Sequence, residues 1–197
     1  VPVLKEVTKN RLNLNEAYPN NLMIEGDNYL VLSALNYTHK GRIDAIYIDP
    51  PYNTGAKNWK YNNDYVDGND GYRHSKWLSF MDKRLRLAKP LLKEDGIIVV
   101  TIDDYEVATL KLLMNKIFNE ENYLGTVVIK NNPQGRSSVS GFQISHEYAL
   151  FYASTPKSKI GRLPRSDEQI GRYKELDDKG AFEWRNFRAQ YSTESPK

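Results

Sequence analysis

The tetrapeptide Asp49-Pro50-Pro51-Tyr52 contains the residue types that point most directly to chemistry. It follows an apolar run at residues 43–48, and two successive prolines stiffen the backbone where it leaves a sheet. The Asp49 carboxylate and the Pro50 carbonyl are then two hydrogen-bond acceptors close to the flat ring of Tyr52. This combination suits an amino group on a planar base, although the same four residues would also suit a plain sharp turn.

These groups would also favour a reaction at such an amino group. The lone pair of an aromatic amine is delocalised into its ring, so the amine is a poor nucleophile. Hydrogen bonds to Asp49 and to the Pro50 carbonyl would localise the lone pair and direct it at an electrophilic methyl group. Asp49 would accept the proton during methyl transfer, or the proton would leave afterwards. A base inside a duplex cannot reach such a pocket, so it must be flipped out and stacked on Tyr52.

The composition is that of one globular domain, with 40% hydrophobic and 27% charged residues in a chain of 197. The absence of cysteine excludes disulfides, thiolate catalysis and cysteine-based zinc sites. No apolar run is long enough to cross a membrane and no signal pattern opens the sequence, which favours a cytoplasmic protein. The net charge of +3 is compatible with a polyanionic partner without requiring one.

Alternating apolar patterns predict an α/β domain with a mostly parallel sheet. Strands are predicted at residues 22–24, 43–48, 97–102, 126–130 and 148–152. One helix is predicted after residue 27, one from residue 73 up to Gly96, and one after a capping box formed by Asp103 and Glu106. Residues 53–72 are predicted to be a long loop.

Acidic residues follow three of the predicted strands, at Asp27, Asp49 and Asp103. Ligands bind at the carboxyl ends of strands in sheets of this class, so the three aspartates suggest a site along one edge. Asp27 and Asp103 would also serve simply to cap the helices that follow them.

The sequence resembles the β-class amino-methyltransferases, especially the modification subunits of type III restriction systems. The likeness runs from about residue 21 to residue 152, and its most specific part is Tyr-Ile-Asp-Pro-Pro-Tyr-Asn-Thr-Gly at residues 47–55. Further matching segments are Asn-Leu-Met-Ile-Glu-Gly-Asp-Asn at 21–28, the helix–strand–helix stretch at 77–106, and Ser-His-Glu-Tyr at 145–148.

The resemblance implies a Rossmann-like fold that uses S-adenosylmethionine, with helices on both faces of the sheet. It implies methylation of a flipped-out adenine at N6 in double-stranded DNA, because Asp opens the tetrapeptide where Ser is usual for cytosine N4. A restriction-modification system, a homodimer and a restriction subunit as partner are further expectations from the family.

The resemblance also assigns roles to individual residues. The catalytic group is expected to be Asp49, Pro50, Pro51 and Tyr52. Asp27 is expected beside the adenine of the cofactor, with Asp49 also on the cofactor side. The residues expected to bind the target base are Tyr52, Asn53, Thr54, Gly55 and His146. No metal site is predicted, because His146 has no ligand partner at a useful spacing.

One feature of the family is absent from the sequence. The family binds the methionine part of its cofactor with a Phe-x-Gly-x-Gly loop, and no two glycines here are separated by a single residue. The chain is therefore expected to be the front part of a circularly permuted protein, in which the missing strands would lie between the strands ending at Asp27 and Asp49. Residues 1–20 are expected to be an extension, 21–156 the front of the catalytic domain, and 157–197 the start of a target-recognition or connecting region.

Two other functions stay open at this point. The same pocket would suit an RNA adenine or a protein side-chain amide as methyl acceptor. Alternatively, the chain would be a catalytically incomplete module of the same fold that binds DNA or serves in assembly.

Overall fold

The computed structural model describes residues 3–8, 21–61, 64–131 and 141–184. Most of the predicted extension at 1–20 and the end of the predicted region at 157–197 lie outside these described residues. The chain divides into two units, residues 1–159 and residues 160–197. In the described part, no helix is both long and apolar enough to cross a membrane.

The first unit alternates strands and helices. Its strands are β1 (Ile43–Ile48), β2 (Ala56–Tyr61), β3 (Asp64–Asp67), β4 (Leu92–Ile102), β5 (Tyr123–Lys130) and β6 (His146–Ala153). Its α-helices are α1 (Asn28–Thr38), α2 (Arg73–Ala88) and α3 (Val107–Phe118). The predicted α/β class is confirmed.

The main sheet has the strand order β1-β4-β6-β5. β1 pairs in parallel with β4, whereas β6 pairs antiparallel with both β4 and β5. Helices α2 and α3 form the crossovers that parallel strand directions require, so β1, β4 and β5 run one way. The sheet is mixed because β6 runs the other way and lies between β4 and β5.

The helices cover one face of this sheet. Helix α2 packs against α1 on one side and α3 on the other. The fully buried side chains include Trp77 on α2, Ile98 on β4 and Leu110 on α3. On the opposite face of β1, Tyr47 is 67% exposed. The described residues therefore form one helix layer, and a second layer on the opposite face is not among them.

The stretch 53–72 contains two antiparallel strands where a continuous loop is predicted. β2 pairs with β3, and both strands send side chains into the core, where Trp59 and Val66 are buried. Gly55 and Gly68 close the base of the hairpin so tightly that a Cβ at Gly55 would lie 2.7 Å from the Gly68 Cα. The prediction was wrong because the many Asn and Asp residues obscured the two-residue spacing of Trp59 and Tyr61.

Gly96 does not end a helix, as predicted, but lies inside β4. Helix α2 ends earlier, at Ala88, and a 3-10 turn containing Pro90 follows it. A Cβ at Gly96 would lie 3.0 Å from the Ile43 carbonyl oxygen, so glycine permits the close approach of β1. The glycine signals a tight strand contact.

The predicted strand at 22–24 is also not formed. Leu22 is 72% exposed and Met23 is 95% exposed. A strand is stable only when its backbone groups have hydrogen-bonding partners, and none of the described strands pairs with this segment.

The second unit contains short elements only. They are helix α4 (Asp167–Ile170) and the antiparallel pair β7 (Glu175–Asp177) and β8 (Gly180–Phe182). Ser166 caps α4 and Gln169 reaches back to the Ser166 N–H, so a true capping box occurs here.

Candidate active site

The ends of four strands bring polar residues to one edge of the main sheet. The parallel strands β1 and β4 end at this edge, and the antiparallel strand β6 begins there, because Ile102 lies opposite Tyr148. β5 also ends there, with Lys130 opposite His146. The polar residues at this edge are Asp49, Asp103, Asp104, Asn131, His146 and Glu147.

Asp49 is exposed directly after β1, and a buried hydroxyl holds its carboxylate. The Thr101 Oγ1 donates to Asp49 Oδ1 over 2.7 Å, and the Thr101 residue is only 3% exposed. A carboxylate offers more lone pairs than this bond uses, so the exposed Asp49 can still accept from a ligand. Sequence reasoning missed Thr101, whose signal was a polar residue near the end of an otherwise apolar strand.

The carbonyl groups of Pro50 and Pro51 have different hydrogen-bonding environments. The indole Nε1 of Trp77, which is fully buried on α2, donates to the Pro51 carbonyl over 2.6 Å. Among the residues that the structure describes, no donor contacts the Pro50 carbonyl. The loop is therefore anchored at Pro51, and the neighbouring carbonyl remains available as an acceptor beside Asp49.

Tyr52 is half-buried, and its hydroxyl lies among acceptors. The hydroxyl donates to Glu147 Oε2 over 3.3 Å, and this oxygen also accepts from the Asn131 side-chain amide over 2.9 Å. Burial is the main cause that raises the pKa of Tyr52 well above 10.0, with Asp49 and Glu147 adding to the shift and Thr101 opposing it. The ring therefore remains neutral at physiological pH.

The three residues after Tyr52 have different environments. Asn53 is completely buried with a φ of 59°, and its amide contacts Glu106 and Trp59. Thr54 is half-buried, and Gly55 has a φ of 86°, a conformation that glycine adopts without strain. Asn53 is thus a buried anchor in this structure, whereas Thr54 is partly exposed.

His146 lies at the same edge, on the first residue of β6. Its Nε2 lies 2.8 Å from the Tyr148 hydroxyl, which donates to Asp104 Oδ1 over 2.8 Å. That bond to Asp104 is the main cause that raises the pKa of Tyr148. The side chain of His146 is 35% exposed, so it lines the edge without being sealed in the core.

Asp27 performs the helix-capping role. Its Oδ1 accepts from the Tyr29 and Leu30 backbone N–H groups, and its Oδ2 lies 3.3 Å from a guanidinium nitrogen of Arg84. The Asp27 side chain is 53% exposed, so it can still accept from a ligand.

Asp103 and Glu106 do not form the predicted capping box. Asp103 accepts from the Tyr105 N–H over 3.0 Å, but the Glu106 side chain turns into the interior and is completely buried. The pattern correctly predicts that a helix begins here. The Glu106 carboxylate, however, accepts hydrogen bonds in the interior and does not cap the helix.

In the second unit, cationic and aromatic side chains line a small cavity. The Arg165 guanidinium lies 5.0 Å from the centre of the Tyr173 ring, and Arg172 and Gln169 complete the lining. Trp184 is 83% exposed nearby in sequence and packs edge-on against Phe182. Such surfaces suit phosphate groups and bases. Among described residues, no cluster suited to a metal ion occurs.

Known proteins share sequence with this chain. The chain is 39% identical over 158 residues to the type II methyltransferase M.KpnI of Klebsiella pneumoniae, covering 80% of the chain and 37% of that protein. It is 35% identical over 195 residues to the type III restriction-modification enzyme StyLTI Mod subunit of Salmonella typhimurium, covering 88% of the chain and 30% of that protein. The chain thus spans about a third of the length of these relatives.

Among solved structures, the complex of M1.HpyAVI with SAM superposes with a TM-score of 0.46 and 17% identity, covering 72% of the chain and 58% of that structure. The sequence profile of the DNA methylase family that unites N6 and N4 enzymes matches residues 43–196, which is most of the chain. The match includes the loop at Asp49–Tyr52 and the strands that position it. The chain belongs to this DNA methylase family.

Proposed function

We propose that the protein carrying this chain transfers a methyl group from S-adenosylmethionine to the N6 amino group of an adenine flipped out of double-stranded DNA. The observation that carries the proposal is the pair of acceptors after β1. Thr101 fixes the Asp49 carboxylate, and Trp77 occupies the Pro51 carbonyl, which leaves the Pro50 carbonyl beside Asp49. Two fixed acceptors match the two N–H bonds of an exocyclic amine.

The chain's own residues account for the activation of the amine. Asp49 and the Pro50 carbonyl would each accept one N–H, which localises the nitrogen lone pair. Because Thr101 already binds one Asp49 oxygen, the carboxylate would not reorganise when the base arrives. After transfer the nitrogen carries an additional positive charge, and Asp49 is the carboxylate placed to accept its proton.

Tyr52 would hold the base by its ring. Stacking of a base on an aromatic side chain contributes roughly 1–3 kcal/mol. The Glu147 carboxylate restrains the Tyr52 hydroxyl, so the ring would be oriented before the base enters. Thr54, Gly55 and His146 lie at the same edge and would shape the rim of the pocket.

The residues present fit one end of the cofactor. Asp27 has an exposed carboxylate that could accept from hydroxyl groups, and Asp49 would lie near the reacting end. Bound S-adenosylmethionine supplies an electrophilic methyl group. The exposed segment at 21–25 leads directly to Asp27, so this side of the site is open among the described residues.

The relatives suggest the biological setting. The StyLTI Mod subunit is named as part of a type III restriction-modification enzyme, and M.KpnI as a type II methyltransferase, which supports a role in a restriction-modification system. We propose a cytoplasmic protein that acts as a homodimer with a restriction subunit as a partner. The Arg165, Arg172 and Tyr173 surface of the second unit would contact DNA, as a start of a target-recognition region.

The test is methyl transfer from labelled S-adenosylmethionine to mixed-sequence DNA by the full-length protein, followed by nucleoside analysis. Labelled N6-methyladenine is the expected product. Labelled N4-methylcytosine would show that cytosine, and not adenine, is the target base. Label found only in RNA or protein would contradict the proposal. A protein that binds the cofactor and DNA but transfers no label would be a binding module.

A further inference from the structure

Glu106 is a buried carboxylate that neither the proposed chemistry nor helix capping uses. Its residue has no exposed surface, although a carboxylate in a protein interior is strongly destabilising unless other groups solvate it. It precedes α3 directly, yet its side chain makes no capping bond. The role of the carboxylate must therefore lie in the groups that it contacts.

Those groups come from three parts of the unit. Glu106 Oε1 accepts from the Asn53 side-chain amide over 2.5 Å and lies 2.6 Å from Nδ1 of His74 on α2. Glu106 Oε2 accepts from the Thr109 hydroxyl on α3. A carboxylate accepts only, so it can satisfy all three at once. It thus joins α2, α3 and the loop after β1.

Asn53 is the residue through which this network reaches the loop. It directly follows Tyr52, has a φ of 59° and is completely buried. Its Oδ1 accepts from the Trp59 indole N–H over 3.2 Å, so both ends of the amide are bound. A left-handed backbone at a residue other than glycine persists where the surroundings enforce it.

We propose that Glu106 is a positioning residue that, through Asn53, holds the segment 49–55 in the conformation that presents Asp49 and Tyr52. Glu106 touches neither Asp49 nor Tyr52 in the described contacts, so it acts through the backbone. The kinetic consequence rests on the proposed methyltransferase function. The effect on the conformation of the loop does not rest on that function, because the hydrogen bond from the Trp77 indole to the Pro51 carbonyl can be followed without any methyl transfer.

The experiment uses the full-length protein and its variants Glu106→Ala, Glu106→Gln, Asn53→Gly and the double variant Glu106→Ala/Asn53→Gly. Gln keeps the shape and an accepting oxygen, and Gly accepts a positive φ while removing the amide. Leu110→Ala is the matched control, because Leu110 is fully buried on α3, the helix that directly follows Glu106, and its side chain makes none of the hydrogen bonds of the network. Active-site concentration is titrated with cofactor, and kcat is measured separately from KM.

Glu106→Ala and Asn53→Gly are each expected to lower kcat at least tenfold with little change in the KM for cofactor. The double variant should be no more than threefold worse than either, because both changes break one linkage. Glu106→Gln should stay within threefold of the wild type, and Leu110→Ala should keep its kcat per folded molecule despite a lower Tm. The proposal would be overturned if the two single losses of kcat multiplied in the double variant, or if Leu110→Ala lost as much kcat as Glu106→Ala.

The second readout is the indole N–H signal of Trp77 in spectra of protein labelled with ¹⁵N-tryptophan. Trp77 has no described hydrogen bond to Glu106, and its indole N–H donates to the Pro51 carbonyl, so its signal reports on the loop. Because Glu106 also contacts His74 on α2, a shift is assigned to the loop only if Asn53→Gly, which leaves the His74 contact in place, shows it too. The expected result is a shift in Glu106→Ala and none in Leu110→Ala. An unmoved signal would refute the positioning role. If the wild type transfers no methyl group, the proposed function fails and these signals still decide the role of Glu106.

Discussion

The loop at residues 49–55 and the segment at residues 21–27 are both expected to meet ligands, but the chain holds them very differently. In the loop, side chains from β4, α2, β6 and the residue that precedes α3 each bind one residue. In the segment, Leu22 and Met23 are almost fully exposed, and only Asp27 is anchored. The core of this chain therefore holds the loop in place, whereas the described contacts fix the segment mainly at Asp27.

The largest difference is expected in stability. Trp77→Ala removes a fully buried indole and the bond to Pro51, so it should lower the free energy of unfolding by about 3–5 kcal/mol. Met23→Ala at a 95% exposed position should change it by less than about 0.5 kcal/mol. Denaturant unfolding of both variants checks the contrast, and a similar cost at the two positions would show that the segment is packed after all.

The next effect is expected on methyl transfer. Thr101→Val keeps the shape of the side chain but removes the donor to Asp49, so kcat should fall about tenfold to hundredfold, as expected for a bond to a charged group. Thr101→Ser retains the hydroxyl and should stay near the wild type. Equal activity of the Val and Ser variants would mean that Asp49 needs no orientation from Thr101.

A smaller effect is expected at Asp27, where two roles can be separated. Asp27→Ala should cost about 0.5–2 kcal/mol of stability because the cap of α1 is lost, while Asn caps equally well. Asp27→Asn should therefore keep stability but weaken cofactor binding about tenfold, measured by calorimetry. Unchanged cofactor affinity in both variants would leave Asp27 as a cap only.

The smallest effect is expected at alkaline pH, where a buried tyrosine makes the free energy of unfolding depend on pH. Burial raises the pKa of Tyr152 above the ordinary 10.0, so the folded state keeps a proton that the unfolded state releases. The contribution of Tyr152 to the free energy of unfolding is thus fully present below about pH 10. It falls as the pH rises further, by at most about 1.4 kcal/mol per pH unit. Between pH 9 and 11, Tyr152→Phe should reduce that fall by about 1.4 kcal/mol in total in chemical-denaturation measurements, and an unchanged fall would contradict it.

Elements with a strong periodic pattern could be predicted from the sequence. The strands at 43–48 and 97–102 and helices α2 and α3 occur where the apolar spacing indicated them. The hairpin at 56–67 could not, because its polar residues outnumber the buried Trp59 and Val66. The reversed direction of β6 also could not, because it depends on pairing between distant strands.

For the site, local motifs identified the loop but not the residues that hold it. Asp49 to Gly55 are adjacent in sequence, so the motif reveals them together. Thr101, Glu106 and Glu147 reach the loop from positions about 50 or more residues away, and only the fold brings them there. A polar residue within an apolar strand or helix start was their only signal.

The most direct test of the account is single-turnover methyl transfer to DNA by Asp49→Asn beside the wild type, in full-length protein saturated with labelled S-adenosylmethionine. Asn keeps the size of the side chain and an oxygen for Thr101, but it removes the negative charge and the proton acceptor. We expect the transfer rate at saturating cofactor to fall about a thousandfold or more. Transfer within about tenfold of the wild type would contradict the central claim that the Asp49 carboxylate activates the target amine.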